Sequence, residues 1–271
     1  MQSKIILITG STDGIGLETA SQLIKDGHKV ILHGRNSKRV REAKDKIEKR
    51  QAGSVYDTAI ADFEHLQSVK NMAHEILKQY DHIDVLINNA GIFCKNRIFS
   101  ADGYERTFAV NHLAHVLLTL ELLPLIKNAE QGRIVVVSSM IHSTSLDFNN
   151  LQGEKHYDGN QAYSRSKLAN LLFANYLSAE MKDTAVTVNS LHPGVISTKL
   201  LNASFGPFGK PVSNGIKNSV YLATNSAVSE VTGEYFDNLQ ITAPAPIAED
   251  YDTQKRLWEI SQKMIDKAIN R

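Results

Sequence analysis

Several things are scarce in this 271-residue chain, and each absence narrows the reading. There is a single cysteine, Cys94, so no intramolecular disulfide is possible. That count fits a reducing compartment. Neither sign of charge dominates: 30 basic residues against 29 acidic ones leave a formal net charge of +1. Nothing therefore suggests a nucleic-acid partner. The basic cluster Lys38, Arg39, Arg41, Lys44 and Lys46 is interleaved with acids and reads as a solvated helix face. No apolar run of roughly 18 residues is seen, so no transmembrane helix is expected. An apolar strand starts almost at residue one, leaving no room for a signal peptide. No Gly-x-Ser-x-Gly occurs, which argues against a hydrolase nucleophile elbow. No linker, low-complexity run or repeat interrupts the chain, so residues 1–271 are expected to form a single domain.

What is present is ordered. Short apolar runs recur at 4–9, 29–33, 55–60, 83–88, 133–138 and 186–192. Helical stretches at about 15–26, 37–50, 65–80, 103–127 and 162–182 separate them. That alternation predicts right-handed βαβ units and a doubly wound parallel sheet, an α/β fold of Rossmann type. Such a sheet binds its ligand beyond the carboxyl ends of the strands. Lys4 to Thr9 runs straight into Gly10-Ser11-Thr12-Asp13-Gly14-Ile15-Gly16 and then into a helix. Strand, glycine turn and helix form the context of a dinucleotide-binding loop. Gly10 permits the tight turn, Gly14 the close approach of a pyrophosphate, and Gly16 the packing of helix on strand.

Tyr163 and Lys167 stand four apart in a helix-like segment, so both lie on one helical face. A fixed ammonium beside a phenol favours the phenolate and lowers its pKa. The pair is thus a candidate for exchanging a proton with an alcohol or carbonyl oxygen. Taken alone, it could equally be an exposed Tyr and Lys that happen to share a face.

Six motifs in order settle the comparison. They are Thr9-Gly10-x-x-x-Gly14-x-Gly16, Asn88-Asn89-Ala90-Gly91, Asn111, Val137-Ser138-Ser139, Tyr163-x-x-x-Lys167, and His192-Pro193-Gly194 followed by Thr198. On these the chain resembles the short-chain dehydrogenase/reductase family over nearly its whole length. Ala162 to Asn170, Leu191 to Val195 and Lys255 to Ser261 are similar to the retinol dehydrogenase and WW-domain oxidoreductase branch.

The resemblance implies a catalytic tetrad. Tyr163 would be the proton donor and acceptor. Lys167 would tune Tyr163 and hold the nicotinamide ribose. Ser139 would orient the substrate oxygen, with Ser138 merely its neighbour. Asn111 would hold a water of a proton relay. The cofactor would lie along the glycine loop from Gly10 to Gly16, with Asp62 and Phe63 near the adenine. Asn89, Ala90 and Gly91 would line its path, Asn89 also bracing the sheet. Pro193, Gly194, Val195 and Thr198 would meet the nicotinamide end, and His192 would be structural. No metal is called for.

Strand two ends Leu32-His33-Gly34-Arg35-Asn36. Gly34 stands where an acidic residue would favour NAD, and Arg35 can bond a 2′-phosphate. Gly34 and Arg35 thus point to NADP(H), with Asn36 also expected at the cofactor, while the acidic Asp13 leaves NAD(H) possible. Residues 140–161 form a polar insert beside the expected substrate mouth. Lys199 to Gly215 reads as a mobile loop whose Phe205 and Phe208 would cover a small apolar alcohol or carbonyl compound. Cys94 follows Gly91 closely and is expected to pack, or else to line the cleft. Helices 103–127 and 162–182 pair across a dimer axis in many relatives. A homodimer through Leu117, Leu118, Leu171, Leu172 and Phe173 is accordingly expected. Membrane-anchored retinol dehydrogenases carry an N-terminal apolar segment that this chain lacks, which implies a cytoplasmic enzyme with no membrane partner. The alternative of another class is a dinucleotide-binding regulator without turnover. Such proteins usually lose the Tyr or the Lys, and this chain keeps both.

Overall fold

The apolar runs become strands because β-branched residues alternate between two buried faces. Ile6, Ile8, Val30, Leu32, Val85, Ile87, Val135 and Val137 enter one core. Leu7, Ile31, Leu86, Ile134 and Val136 enter the other. With both faces covered, the strands read as continuous hydrophobic sequence. The computed structural model describes residues 3–54 and 56–270, and the side chain of Phe205 lies outside the described residues. Its strands are β1 (Ile5–Ile8), β2 (Lys29–Gly34), β3 (Tyr56–Ile60), β4 (Val85–Asn88), β5 (Arg133–Val137), β6 (Thr187–Leu191), β7 (Tyr235–Asp237) and β8 (Gln240–Ile241). They form one sheet in the order β3-β2-β1-β4-β5-β6-β7-β8. All neighbours are parallel except the β7–β8 hairpin. The order reverses between β1 and β4, the switch point where such sheets bind ligands. Helices Gly14–Lys25, Ser37–Arg50 and Lys217–Thr224 cover one face. Helices Leu66–Gln79, Arg106–Lys127, Gly159–Glu180 and Tyr251–Ile269 cover the other.

The expected strands and helices are all present within a few residues, although the expected third strand began on Val55, outside the described residues. Three expectations change. Lys199 to Phe205 is helical rather than an irregular loop, because Thr198 caps it by accepting the Leu201 N–H at 3.1 Å. The Arg106–Lys127 helix is long and apolar enough to cross a membrane by length and composition, which the sequence reading missed. Its apolar window is 78% buried inside the protein, so its hydrophobicity serves the core. Finally, Leu117, Leu118, Leu171, Leu172 and Phe173 are all buried in the core and cannot present a dimer face. The unforeseen Tyr251–Ile269 helix packs along Gly159–Glu180. Trp258 stacks on Phe173 at 6.1 Å, and Ser261 Oγ lies 2.8 Å from His112 Nε2. The basic cluster of the Ser37–Arg50 helix is exposed, as expected.

Candidate active site

The glycine turn follows β1 directly. Gly10 and Gly14 both adopt positive φ, at 65° and 54°. A side chain on Gly10 would also press within 2.9 Å of the Ala90 backbone. A Cβ on Gly16 would meet the Gly10 carbonyl and Asn89 Nδ2 at 2.5 Å each. Asp13 caps the following helix by accepting the Gly14 N–H at 3.0 Å. It also pairs with Lys199 at 2.5 Å. Partial burial works against the Asp13 carboxylate, but Lys199 and the Gly14 N–H outweigh it and hold its pKa below the ordinary range. Ser11 is fully buried: its hydroxyl donates to the Ile8 carbonyl and accepts the His33 N–H, which fastens the turn to β2. Ile15 packs toward Gly215.

The turn after β4 is sewn to the glycine turn through Thr9. Thr9 Oγ1 accepts the N–H groups of Asn89 and Ala90 at 2.8 and 2.9 Å. Asn89 Nδ2 donates back to the Thr9 carbonyl at 2.7 Å, the bracing role implied by the sequence. Gly91 then brings the chain against Asn111 and Lys167. A Cβ there would stand 3.6 Å from Asn111 Oδ1 and 3.8 Å from Lys167 Nζ. Asn111 sits in a π-helical turn, Ala109–Leu113, inside an otherwise α-helical run. Such turns cost helix regularity and gather at functional sites. Its amide donates to the Ile92 carbonyl and to Ser166 Oγ, both at 3.0 Å. Ser166 Oγ in turn donates to the Tyr163 carbonyl at 2.7 Å.

Tyr163 and Lys167 lie on the buried face of the Gly159–Glu180 helix, 8% and 3% exposed. Asp158 caps that helix by accepting the Gln161 N–H. Lys167 Nζ donates to the Val137 carbonyl at 2.9 Å and lies 5.6 Å from the Tyr163 ring centre. Burial lowers the Lys167 pKa to about 8 and pushes the Tyr163 phenol up. The expected depression of the Tyr163 pKa is therefore reversed in this structure: loss of hydration favours the neutral phenol. Of the two serines after β5, Ser138 donates its hydroxyl to the Lys167 carbonyl at 2.8 Å. Ser139 Oγ accepts only the Ile141 N–H, at 3.3 Å, and its proton is uncommitted among the described residues.

At the other end of the rim, a Cβ on Gly34 would lie 2.5 Å from Thr12 Cγ2. Arg35 is half-exposed and 3.7 Å from Glu64, which also pairs with Arg106. Asn36 caps the Ser37–Arg50 helix through the Arg39 N–H. Asp62 Oδ1 accepts the Glu64 N–H at 3.1 Å. The Phe63 ring is buried, stacked on His33 at 4.5 Å and edge-on to His115 at 5.4 Å, so its side chain serves the core. Pro193, Gly194 (φ 95°) and exposed Val195 follow β6, and Thr198 comes within 3.8 Å of the Cβ position of Gly14. Lys210 N–H donates to the Val195 carbonyl, which folds the Phe208-bearing segment back beside this strand end. His192 accepts the Met140 N–H through Nδ1 and is structural, as expected. Cys94 is buried.

The sequence reading missed His33, His115, Glu64 and Lys199. His33 Nδ1 accepts the Gly10 N–H, and burial lowers its pKa to about 4. The signal was available: two histidines, one in the strand next to the glycine turn and one four residues after Asn111.

A nicotinamide dinucleotide fits these residues. The glycine turn at a helix start, the bare Gly14 under Thr198, and Gly91 facing Asn111 and Lys167 leave backbone open where side chains would intrude. Comparison with known proteins agrees. The short chain dehydrogenase family model matches residues 4–206. Human retinol dehydrogenase 14 is 37% identical over 98% of this chain and 87% of its own length. Retinol dehydrogenase 13 of Mus musculus is 35% identical over 98% of this chain and 85% of its own length. Among solved structures, an uncharacterized protein from Mycobacterium paratuberculosis superposes with a TM-score of 0.80 at 28% identity, covering 97% of this chain and 93% of that one. A Shigella flexneri structure complexed with NADP has a TM-score of 0.72 at 25% identity, covering 88% and 97%. The chain belongs to the short-chain dehydrogenase/reductase family, in its retinol dehydrogenase-like branch.

Proposed function

We propose that the protein is an NADP(H)-preferring oxidoreductase that interconverts an apolar alcohol and its carbonyl compound, with Tyr163 as the proton donor and acceptor. One observation carries this reading: Tyr163 and Lys167 are buried together beside Gly91, with the ammonium 5.6 Å from the ring. The bound dinucleotide would supply the hydride. Held protonated by burial, Tyr163 is a donor, which suits reduction of a carbonyl group. Lys167, with a pKa of about 8, keeps its charge at neutral pH. Ser139 offers its free hydroxyl to the substrate oxygen. Asn111 links the Tyr163 helix to the Gly91 turn. The glycine turn and the Asn89-to-Gly91 turn would hold the dinucleotide, and the half-exposed Arg35 would meet a 2′-phosphate.

The apolar substrate rests on the mouth of the site. Met140, Ile141, Val195 and Phe208 are exposed and follow the ends of β5 and β6, with Leu239 at the tip of the β7–β8 hairpin. Lys199, the nearest cation in sequence, is already paired with Asp13. An apolar chain would bury carbon there at about 25 cal/mol per Å². Relatives named retinol dehydrogenases fit a long apolar alcohol or aldehyde. The test is NADPH and NADH oxidation with straight-chain aldehydes of rising length. Efficiency rising with length, NADPH ahead of NADH, supports the reading. A flat series, or a preference for sugar phosphates, rules out the apolar substrate.

A further inference from the structure

His115 lies one helical turn beyond Asn111, and its ring is 1% exposed. Its Nδ1 is 3.0 Å from the Asn111 carbonyl oxygen and its Nε2 is 3.0 Å from Thr9 Oγ1. These partners fix the tautomer. A carbonyl only accepts, so Nδ1 carries the proton. Nε2 of the neutral ring must then accept, and Thr9 donates its single hydroxyl proton to it. The rival acceptor, the Ile87 carbonyl, is farther at 3.3 Å and already takes the Thr9 N–H. With its proton committed, Thr9 Oγ1 is left with lone pairs for the Asn89 and Ala90 N–H groups. Four groups are thus joined in one direction: the Asn89–Ala90 backbone, Thr9, His115 and the Asn111 carbonyl. Phe63 holds the ring edge-on at 5.4 Å. Burial lowers the His115 pKa to about 3, so the ring stays neutral and the direction of the chain does not reverse near neutral pH.

We infer that His115 is a positioning residue for the reaction, one that couples the glycine turn under the dinucleotide to Asn111 beside Lys167. Its two nitrogens serve different ends of the site. The Nε2 arm sets Thr9, and through it the turn of Ala90 and Gly91 that would hold the dinucleotide. The Nδ1 arm holds the Asn111 carbonyl in the π turn, while the Asn111 amide is held by Ile92 and Ser166. A residue that merely filled space would not separate these two effects. The inference rests on the proposed oxidoreductase reading for the role of Asn111.

The test uses amides that imitate one nitrogen each. In His115→Asn the amide N–H can replace Nδ1, and the Thr9 arm is lost. In His115→Gln the longer amide can replace Nε2, and the Asn111 arm is lost. We expect His115→Asn to weaken NADP⁺ binding about tenfold while turnover at saturating cofactor stays near wild type. We expect His115→Gln to lower turnover about tenfold with NADP⁺ affinity near wild type. Two variants that change affinity and turnover alike, whatever their melting temperatures, overturn the inference. Imidazole ¹⁵N shifts of the wild-type protein give a reading that does not depend on the variants folding. A protonated Nδ1 and bare Nε2 on His115 support the inference, and the opposite tautomer overturns it. If wild-type protein does not oxidise NADPH with any aldehyde, the proposed function fails, while the NADP⁺ affinities and the tautomer still decide the role of His115.

Discussion

Thr12 occupies the space that any side chain at position 34 would need, for a Cβ on Gly34 would come within 2.5 Å of Thr12 Cγ2 and 2.8 Å of Val40 Cγ2. The missing acid at the end of β2 is therefore matched by a filled volume. On the proposed reading, cofactor choice falls to Arg35, which only Glu64 engages among the described residues, at a loose 3.7 Å.

Arg35→Ala should lower the preference for NADPH over NADH by about tenfold to a hundredfold, since one charge-assisted bond contributes roughly 1.5–3 kcal/mol. Gly34→Asp should by itself destabilise the fold by about 1–3 kcal/mol, because Thr12 and Val40 must move. Trimming Thr12 to Gly alongside it should recover part of that loss. Dinucleotide affinities by fluorescence, with melting curves, check both. Equal affinity of the wild-type protein for NADH and NADPH would show that Arg35 does not select the cofactor.

Burying the Lys167 ammonium costs stability. Its pKa falls from 10.5 in the unfolded chain to about 8 in the fold. Between those values the unfolded state binds more protons, so stability should rise with pH from about 8 to about 10.5. Below about pH 8 the burial cost is present in full. Lys167→Met should then raise stability at pH 7 by about 1–3 kcal/mol, abolish turnover, and lose its advantage as the pH nears 10. Urea unfolding at several pH values measures this. A Met variant less stable at pH 7 would contradict it. In the wild type, turnover in the reducing direction should fall as pH rises through about 8 and Lys167 loses its charge.

The Tyr251–Ile269 helix covers the Gly159–Glu180 helix, with Trp258 on Phe173 and Tyr176 and with Tyr104 Oη donating to the Met264 carbonyl. The apolar side chains expected at a dimer axis are spent inside one chain. A light-scattering mass near the chain mass of 30.1 kDa at micromolar concentration is the expected result. A mass near twice that would show that another surface assembles the protein.

Much of this was readable from the sequence because local rules and the fold agree. The strand, glycine turn and helix at residues 4–25, and the Tyr163–Lys167 spacing, each follow from backbone geometry within one or two elements. The Tyr251–Ile269 helix was missed because its role is tertiary. It is amphipathic, and its apolar side has meaning only against segments distant in sequence: the His112–Ser261 and Tyr104–Met264 contacts span 149 and 160 residues. The Lys199–Phe205 helix was hidden by neighbouring Gly and Pro residues that read as loop. The sign of the Tyr163 shift was misjudged for a different reason. Spacing reveals that Lys167 is near, but only packing reveals that both groups lose water, and desolvation wins. His115 escaped notice because a histidine on an apolar helix face looks like any core histidine until its two partners are known.

The most direct test of the account is Tyr163→Phe, which removes one oxygen from a buried ring. Turnover of NADPH with an apolar aldehyde should fall by about 10²–10⁴, the usual contribution of general acid catalysis. Its melting temperature and its NADP⁺ affinity should stay near wild type, because no hydrogen bond of the Tyr163 hydroxyl braces the fold among the described residues. A Tyr163→Phe protein that binds NADP⁺ and reduces the aldehyde at close to the wild-type rate would contradict the account.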